Sequence, residues 1–375
     1  MAGLRSKRVG HRIARETRSR LFNQLLTAER EGVIALIGPA GVGKTGVIER
    51  VYQLLIEHYH DQMLADPGFL PILSVTAVTG LNGDFSWKDG FTRMLVAGKE
   101  PLVGKKTIFP VLHLDGQMIA SMRGLVKDEF RRVFESMAKN RRLRIIFMDE
   151  GSAIIDESVN RYPVRQFNIL KSLAVELGIV IVLIGAYDLI GLRDGNGQLI
   201  RRADWIHMPR YQLDQLEEKT ADTYTVDEKA CPDYAEFSAA VDTLASAGPV
   251  EISPDALVDK RFLLMKSVGC VGIFRDWFAR SCVDALMNSG GVLTREIIER
   301  NALPISTLGK LVREAEMGEK SIADSPESEL AALYGVSSLR SVETNTISAV
   351  VAPSSRGRRV GQRGPSRDAV GRANA

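Results

Sequence analysis

Short, nearly continuous apolar runs recur through the first two thirds of the chain, and the pattern changes near residue 212. Val33–Ile37, Leu70–Thr76, Leu143–Met148 and Ile179–Ile184 are such runs, and Trp205–Met208 is a shorter fifth. Apolar runs of this length, rich in β-branched residues, read as strands buried on both faces, the mark of a parallel sheet. Between them lie stretches with helical spacing. His11–Glu31 carries Ile13, Leu21, Leu25 and Leu26 among charged residues, and Gln166–Leu177 aligns Phe167, Leu170, Leu173 and Leu177 on one face. Gly46–Ile56, Phe91–Ala97 and Leu112–Lys139 also read as helices, while residues 80–90 and 98–110 read as loops.

Beyond residue 212 the strand pattern stops. Tyr234–Ala245, Pro254–Ser267, Gly272–Met287 and Thr294–Ala302 read as helices. From Ser321 onward Ser, Gly, Pro and Arg dominate with little apolar content, which predicts disorder apart from a short helix at Glu327–Leu333. The expected architecture is α/β, a parallel five-stranded sheet sandwiched by helices. The expected organisation is a basic helical segment at 1–30, an α/β core at 31–212, a C-terminal helical lid at 213–320 and a basic tail at 321–375.

One motif fixes the chemistry of the core. Gly38-Pro39-Ala40-Gly41-Val42-Gly43-Lys44-Thr45 matches the G-x-x-x-x-G-K-[ST] phosphate loop in full, followed by Gly46 at the start of a helix. It stands where it should, between a strand and a helix. Glycines let successive N–H groups curl toward phosphate oxygens, and the helix adds its positive end. Lys44 is expected to reach the β- and γ-phosphates and Thr45 to hold Mg²⁺.

The strand at 143–148 delivers Asp149 and Glu150 to the same edge of the sheet. Asp149 is the expected Mg²⁺ residue, and Glu150 the base that orients and deprotonates an attacking water. A phosphotransferase must exclude water and needs no such base, so the Asp-Glu pair favours hydrolysis. No Asn-Lys-x-Asp guanine-reading motif occurs, which points to ATP.

Two arginine positions carry open readings. Arg201 and Arg202 precede the fifth strand, and either fits a finger reaching a neighbouring subunit's γ-phosphate, a surface pair, or a DNA phosphate contact. Arg275, in Gly272-Ile273-Phe274-Arg275-Asp276-Trp277, fits either a lid cation over bound nucleotide or an ordinary helix with aromatic core residues.

Composition bounds the rest. The chain has 375 residues, 45% of them hydrophobic, enough for more than one compact unit. Its net charge of +3 is unevenly spread: residues 1–20 carry +6 and residues 344–375 carry +5, leaving −8 between them. Basic segments of this kind contact nucleic acid or an acidic partner, or serve as solubilising ends. Cys231, Cys270 and Cys282 show no metal or redox spacing and suit a reducing cytosol. No apolar run is long enough to cross a membrane, and nothing resembles a secretory signal.

The order of phosphate loop, Asp-Glu strand, Arg pair and Gly-x-x-Arg lid helix resembles the AAA+ ATPases. More narrowly it resembles the transposition-regulator ATPases TnsC and TniB of Tn7-like and related transposons. The segments behind the narrower likeness are Leu36–Thr45, Leu183-Ile184-Gly185-Ala186-Tyr187-Asp188-Leu189, Met208-Pro209-Arg210-Tyr211 and Gly269–Trp277. The likeness covers residues 10–310.

The resemblance implies an AAA+ P-loop NTPase fold and an ATP-dependent, Mg²⁺-dependent DNA-binding regulator of transposition. Such a protein assembles as a ring or helical filament on double-stranded DNA, recruits transposase subunits with a target-selection protein, and disassembles on hydrolysis. It implies a cytoplasmic, nucleoid-associated protein. Where Ala186 stands, the family places a polar γ-phosphate sensor, so Tyr187 or Asp188 is the candidate substitute. The long interval between Thr45 and Asp149 matches an insertion that the family turns toward DNA, with Arg93, Lys99, Lys105, Lys106 and Lys127 as candidate backbone contacts. An AAA+ helicase loader or initiator would share every nucleotide residue, although an initiator would add a winged-helix domain. A signalling NTPase switch would do without DNA.

Overall fold

The computed structural model describes residues 10–27, 31–80, 85–100, 113–114, 117–118, 125–155, 163–191, 203–213, 231–323 and 334. The chain divides into two units, Met1–Ala323 and Asp324–Ala375, and of the second only Tyr334 is described.

Five strands form the central sheet of the first unit: β1 (Gly32–Ile37), β2 (Ile72–Thr76), β5 (Ile145–Asp149), β6 (Val180–Gly185) and β7 (Ala203–His207). Their order is β2-β5-β6-β1-β7, and every pairing is parallel. Each of the five expected strands is present within one to two residues of its predicted start, because an all-apolar run has no competing reading once helices flank it on both sides.

The alternation of side chains explains the two covered faces. On β1, Ile34 and Leu36 join one buried cluster, while Val33, Ala35 and Ile37 join the other. On β5, Ile145 and Phe147 oppose Ile146 and Met148 in the same way. The first cluster is closed by α1 (Arg12–Thr27), α2 (Lys44–Ala65) and the lid, through Ile13, Leu21, Val51, Leu55, Phe237, Phe274 and Trp277. The second is closed by α3 (Trp87–Ala97), α4 (Leu125–Asn140) and α6 (Pro163–Leu177), through Phe91, Phe134, Phe167 and Leu170. A short α5 (Ser152–Ile155) follows β5, and a 3₁₀ turn (Tyr187–Ile190) follows β6.

The lid consists of α7 (Pro232–Ala245), α8 (Lys260–Lys266), α9 (Val271–Asn288), α10 (Arg295–Arg300) and α11 (Ile305–Ile322). Its aromatic residues stack on one another, Phe274 lying 5.8 Å from Phe278 and 5.9 Å from Trp277. They are part of the first cluster, so lid and sheet share one core.

Four expectations are corrected. The helix expected at Leu112–Lys139 begins only at Leu125. Ahead of it, β3 (His113–Leu114) pairs antiparallel with β4 (Gln117–Met118) across Asp115-Gly116, a dipeptide that favours a hairpin turn over a helix. The helix expected at Pro254–Ser267 starts at Lys260, where the Asp259 side chain accepts from the Phe262 backbone N–H at 2.8 Å and caps it. Strands do not stop at residue 212: β8 (Glu251–Ile252) pairs in parallel with β9 (Val292–Leu293) inside the lid. The loop expected through residue 90 ends at Ser86, whose hydroxyl caps α3.

Candidate functional site

The phosphate loop emerges from the end of β1 and Asp149 from the end of β5, two strands away across β6. Parallel pairing puts both at the same sheet edge. There, the Thr45 hydroxyl lies 3.5 Å from Asp149 Oδ2. Residues 104 positions apart in sequence are thus brought to one point, with a hydroxyl and a carboxylate oxygen facing each other.

Lys44 sits at the start of α2, and its Nζ donates to the carbonyls of Gly38 at 2.7 Å and Pro39 at 2.9 Å. Burial holds its ammonium below the usual lysine range, while Cys270, Asp149, Glu150 and Asp188 pull the other way. A half-buried cation in a loop of backbone N–H groups is suited to an anionic ligand.

Glu150 takes a left-handed conformation, φ 53°, where a non-glycine residue is strained. Its backbone N–H bonds to Asp149 Oδ1 at 2.9 Å, and the next residue, Gly151, donates to the Ile184 carbonyl at 2.6 Å. The kink is therefore held from β6, and it turns the chain so that Asp149 and Glu150 both line the cleft.

That cleft has a volume of about 570 Å³. Ala40, Gly41, Val42, Gly43, Lys44, Thr45 and Gly46 line it, with Asp149, Glu150 and Arg275. Gly38 and Pro39 lie behind it, holding Lys44 through their carbonyls. The lid closes one side. A Cβ on Gly272 would stand 2.3 Å from the Gly41 carbonyl oxygen, so only glycine lets the start of α9 rest on the phosphate loop. This contact carries Arg275 to the cleft, where its guanidinium pairs with the neighbouring Asp276 carboxylate at 2.9 Å. The aromatic residues beside it, Phe274 and Trp277, are buried in the core, as the ordinary-helix reading expects, while Arg275 lines the cleft.

The structure places the remaining candidates as follows. Arg201, Arg202, Lys105 and Lys106 lie outside the described residues, as does the side chain of Lys127 on α4. Arg93 pairs with Asp89 on α3 at 2.5 Å, and Lys99 sits in the turn after it, φ 52°. Ala186 lines the cleft, but Tyr187 turns away from it: the ring is buried and its hydroxyl lies 2.9 Å from His207 Nε2. Asp188 accepts from the Ser152 hydroxyl at 2.8 Å, and that same Ser152 lines the cleft.

Sequence reasoning missed Ser152, which lies three residues beyond Asp149 on α5, and the set Gly10, His11, Ala14, Arg15 and Arg18 from the start of α1. Proximity to the Asp-Glu pair was the available signal for Ser152. The α1 residues gave none, since their place depends on how that helix folds back across α2 and β7.

Residues 27–192 match the family described as an AAA domain. No curated protein matches the chain in sequence. In shape the chain is similar to the Aeropyrum pernix ORC2 protein, solved as ADPNP–ADP complexes, at 15% identity and a TM-score of 0.46, covering 85% of this chain and 69% of that one. It is similar also to the Aeropyrum pernix ORC1 protein in complex with DNA, at 15% identity and a TM-score of 0.49, covering 78% and 65%. A Walker-type ATPase of Pyrococcus abyssi is similar at 14% identity and a TM-score of 0.44, covering 88% and 92%. With its five-stranded parallel sheet, phosphate loop and matched domain, the core has the AAA+ P-loop NTPase fold.

Proposed function

We propose that the protein is a Mg²⁺-dependent ATPase that assembles on double-stranded DNA and regulates transposition. The observation that carries the ATPase reading is the meeting of Thr45, Asp149 and Glu150 at one end of a cleft floored by the phosphate loop. Among the described residues no cluster of three or more His, Cys, Asp or Glu is built to hold a metal ion. One hydroxyl and one carboxylate facing each other instead fit Mg²⁺, which keeps several waters and takes its other ligands from phosphate oxygens. When bound, that ion neutralises charge on the β- and γ-phosphate oxygens.

The residues then divide the work. Lys44 exchanges the carbonyls of Gly38 and Pro39 for phosphate oxygens. Glu150, held at the cleft by its strained backbone, accepts a proton from water attacking the γ-phosphate. Arg201 or Arg202 is proposed to complete the site from a neighbouring subunit, and Arg275 to bring lid charge to the nucleotide. Ser152, bonded to Asp188, takes the polar position that Ala186 does not supply.

The DNA and transposition part rests on the resemblance of residues 10–310 and on the basic segments. Arg93, Lys99, Lys105, Lys106 and Lys127 are proposed to contact backbone phosphates, giving salt-sensitive, sequence-independent binding suited to a target selector. Transposase subunits and a target-selection protein are the proposed further partners, in the cytoplasm at the nucleoid.

The test is electron microscopy of the protein with duplex DNA, with and without a non-hydrolysable ATP analogue, beside Lys44→Ala. Rings or filaments on DNA that need the analogue and vanish in Lys44→Ala support the reading. Particles that ignore DNA under every condition contradict it.

A further inference from the structure

His11 stands where the chain enters α1 and is 6% exposed, yet it lines the nucleotide cleft. Its Nδ1 lies 3.0 Å from the hydroxyl of Tyr211, 200 positions away. The Ala14 backbone N–H also points at Nδ1, at 3.4 Å. An N–H can aim there only if Nδ1 carries no proton. Tyr211 agrees, because its hydroxyl can donate its proton to an unprotonated Nδ1. Tyr211 is itself fixed: it is 1% exposed, and its backbone N–H bonds to the Gly269 carbonyl at 3.0 Å.

The neutral ring therefore carries its proton on Nε2. Burial, aided by Arg15, pushes the His11 imidazole down to about 4, so it stays neutral through the physiological range. Nε2 has no hydrogen-bond partner among the described residues. Nε2 is not among the fully enclosed unpaired atoms, so this donor opens to the cleft, where a ligand can supply the acceptor. The cleft lining includes apolar Ala14, Leu244 and Val271 as well as Arg15 and Arg18 from the same segment as His11, so a flat ring can find apolar contact while the phosphate loop and carboxylates take the charged end.

We propose that His11 reads the base of the bound nucleotide, donating from Nε2 to a ring nitrogen of adenine, with Tyr211 as the positioning residue that holds the tautomer. The inference rests on the nucleotide-site reading above. It adds a base contact: a group that only donates at this point matches N1, N3 or N7 of adenine, all acceptors, and a contact at N1 also opposes guanine, whose N1 carries a proton while its N3 and N7 still accept.

The experiment is equilibrium binding of ATP, 1-deaza-, 3-deaza- and 7-deaza-ATP, GTP and inorganic tripolyphosphate to the full chain. Wild type, His11→Phe, Tyr211→Phe and Lys44→Ala are compared. In wild type one of the three deaza analogues is expected to bind about tenfold more weakly than ATP, the loss of one buried hydrogen bond. In His11→Phe that difference disappears, ATP and the analogue bind alike, and tripolyphosphate affinity is unchanged.

Tyr211→Phe keeps the ring in the core but frees the imidazole. It is expected to weaken ATP binding several-fold while leaving tripolyphosphate alone, which gives a second readout if His11→Phe does not fold. Equal affinity of wild type for ATP and all three analogues overturns the inference, as does a deaza profile unchanged in His11→Phe. Failure of wild type to bind any triphosphate, or binding that survives Lys44→Ala, overturns the nucleotide-site reading instead.

Discussion

Glu150 and His11 show how much a single side chain depends on its setting. The Asp149-Glu150 pair is visible in sequence because it ends an apolar strand. That Glu150 is strained, and pinned by the Gly151 contact to Ile184, is not visible, since the pinning strand lies thirty residues further on. We expect Glu150→Gln to keep nucleotide affinity and to slow phosphate release by about 100-fold or more, the usual loss for a general base. His11 gives a second residue-scale expectation, on stability. Its folded value of about 4 lies below the unfolded 6.5, so above pH 6.5 it costs nothing. As the pH falls below 6.5 the unfolded chain takes up a proton that the folded one refuses, and stability is lost down to pH 4. Between pH 7 and 5 this amounts to about 2 kcal/mol. Urea unfolding at the two pH values checks it: His11→Phe should lose less than wild type over that range, and an equal loss would remove His11 from the account.

At the scale of elements, the strands and the phosphate-loop helix were legible because their apolar runs and glycines have one reading each. The lid was legible only in outline. Its short β8–β9 pair is two residues long, below the length at which alternation can be seen. The last helix, α11, was not foreseen, although it docks against the core. Arg210, three residues beyond β7, makes two hydrogen bonds to Glu319, at 2.9 and 3.2 Å, and Gln212 adds a third at 3.0 Å. Both partners of the ion pair are largely buried, at 13% and 16% side-chain exposure. Removing one leaves the other's charge uncompensated, so Glu319→Ala should cost about 3 kcal/mol, less for the remaining exposure. Gly318 is tighter still, since a Cβ there would meet the Tyr187 ring at 2.0 Å. Gly318→Ala is expected to lower the melting temperature by several degrees, consistent with the about 1–3 kcal/mol typical of overpacking. An unchanged melting temperature in both variants would mean that α11 does not dock as described.

For the molecule as a whole, the charge distribution reads differently once α1 is placed. Part of the +6 of residues 1–20 is already engaged within the fold. Arg12 pairs with Asp233, Arg15 lies 3.6 Å from Glu236, and Arg20 donates to the Trp205 carbonyl at 3.4 Å. These cations tie α1 to the lid and to β7, which sequence charge alone does not reveal. The six arginines of residues 344–375 are therefore the stronger candidates for binding nucleic acid among the two basic segments. Replacing them with alanine should flatten the dependence of DNA affinity on salt by about 0.9 in log–log slope for each DNA phosphate that is no longer neutralised. A slope unchanged by the replacement would assign DNA binding to another surface.

The central claim is that the cleft beneath the lid hydrolyses ATP through Lys44, Thr45, Asp149 and Glu150. Its most direct test is one paired measurement, ATP binding and phosphate release with Mg²⁺, on wild type, Lys44→Ala and Glu150→Gln. The account predicts that wild type binds and turns over, Lys44→Ala loses both, and Glu150→Gln binds like wild type but releases almost no phosphate. Phosphate release by Glu150→Gln at the wild-type rate would contradict it.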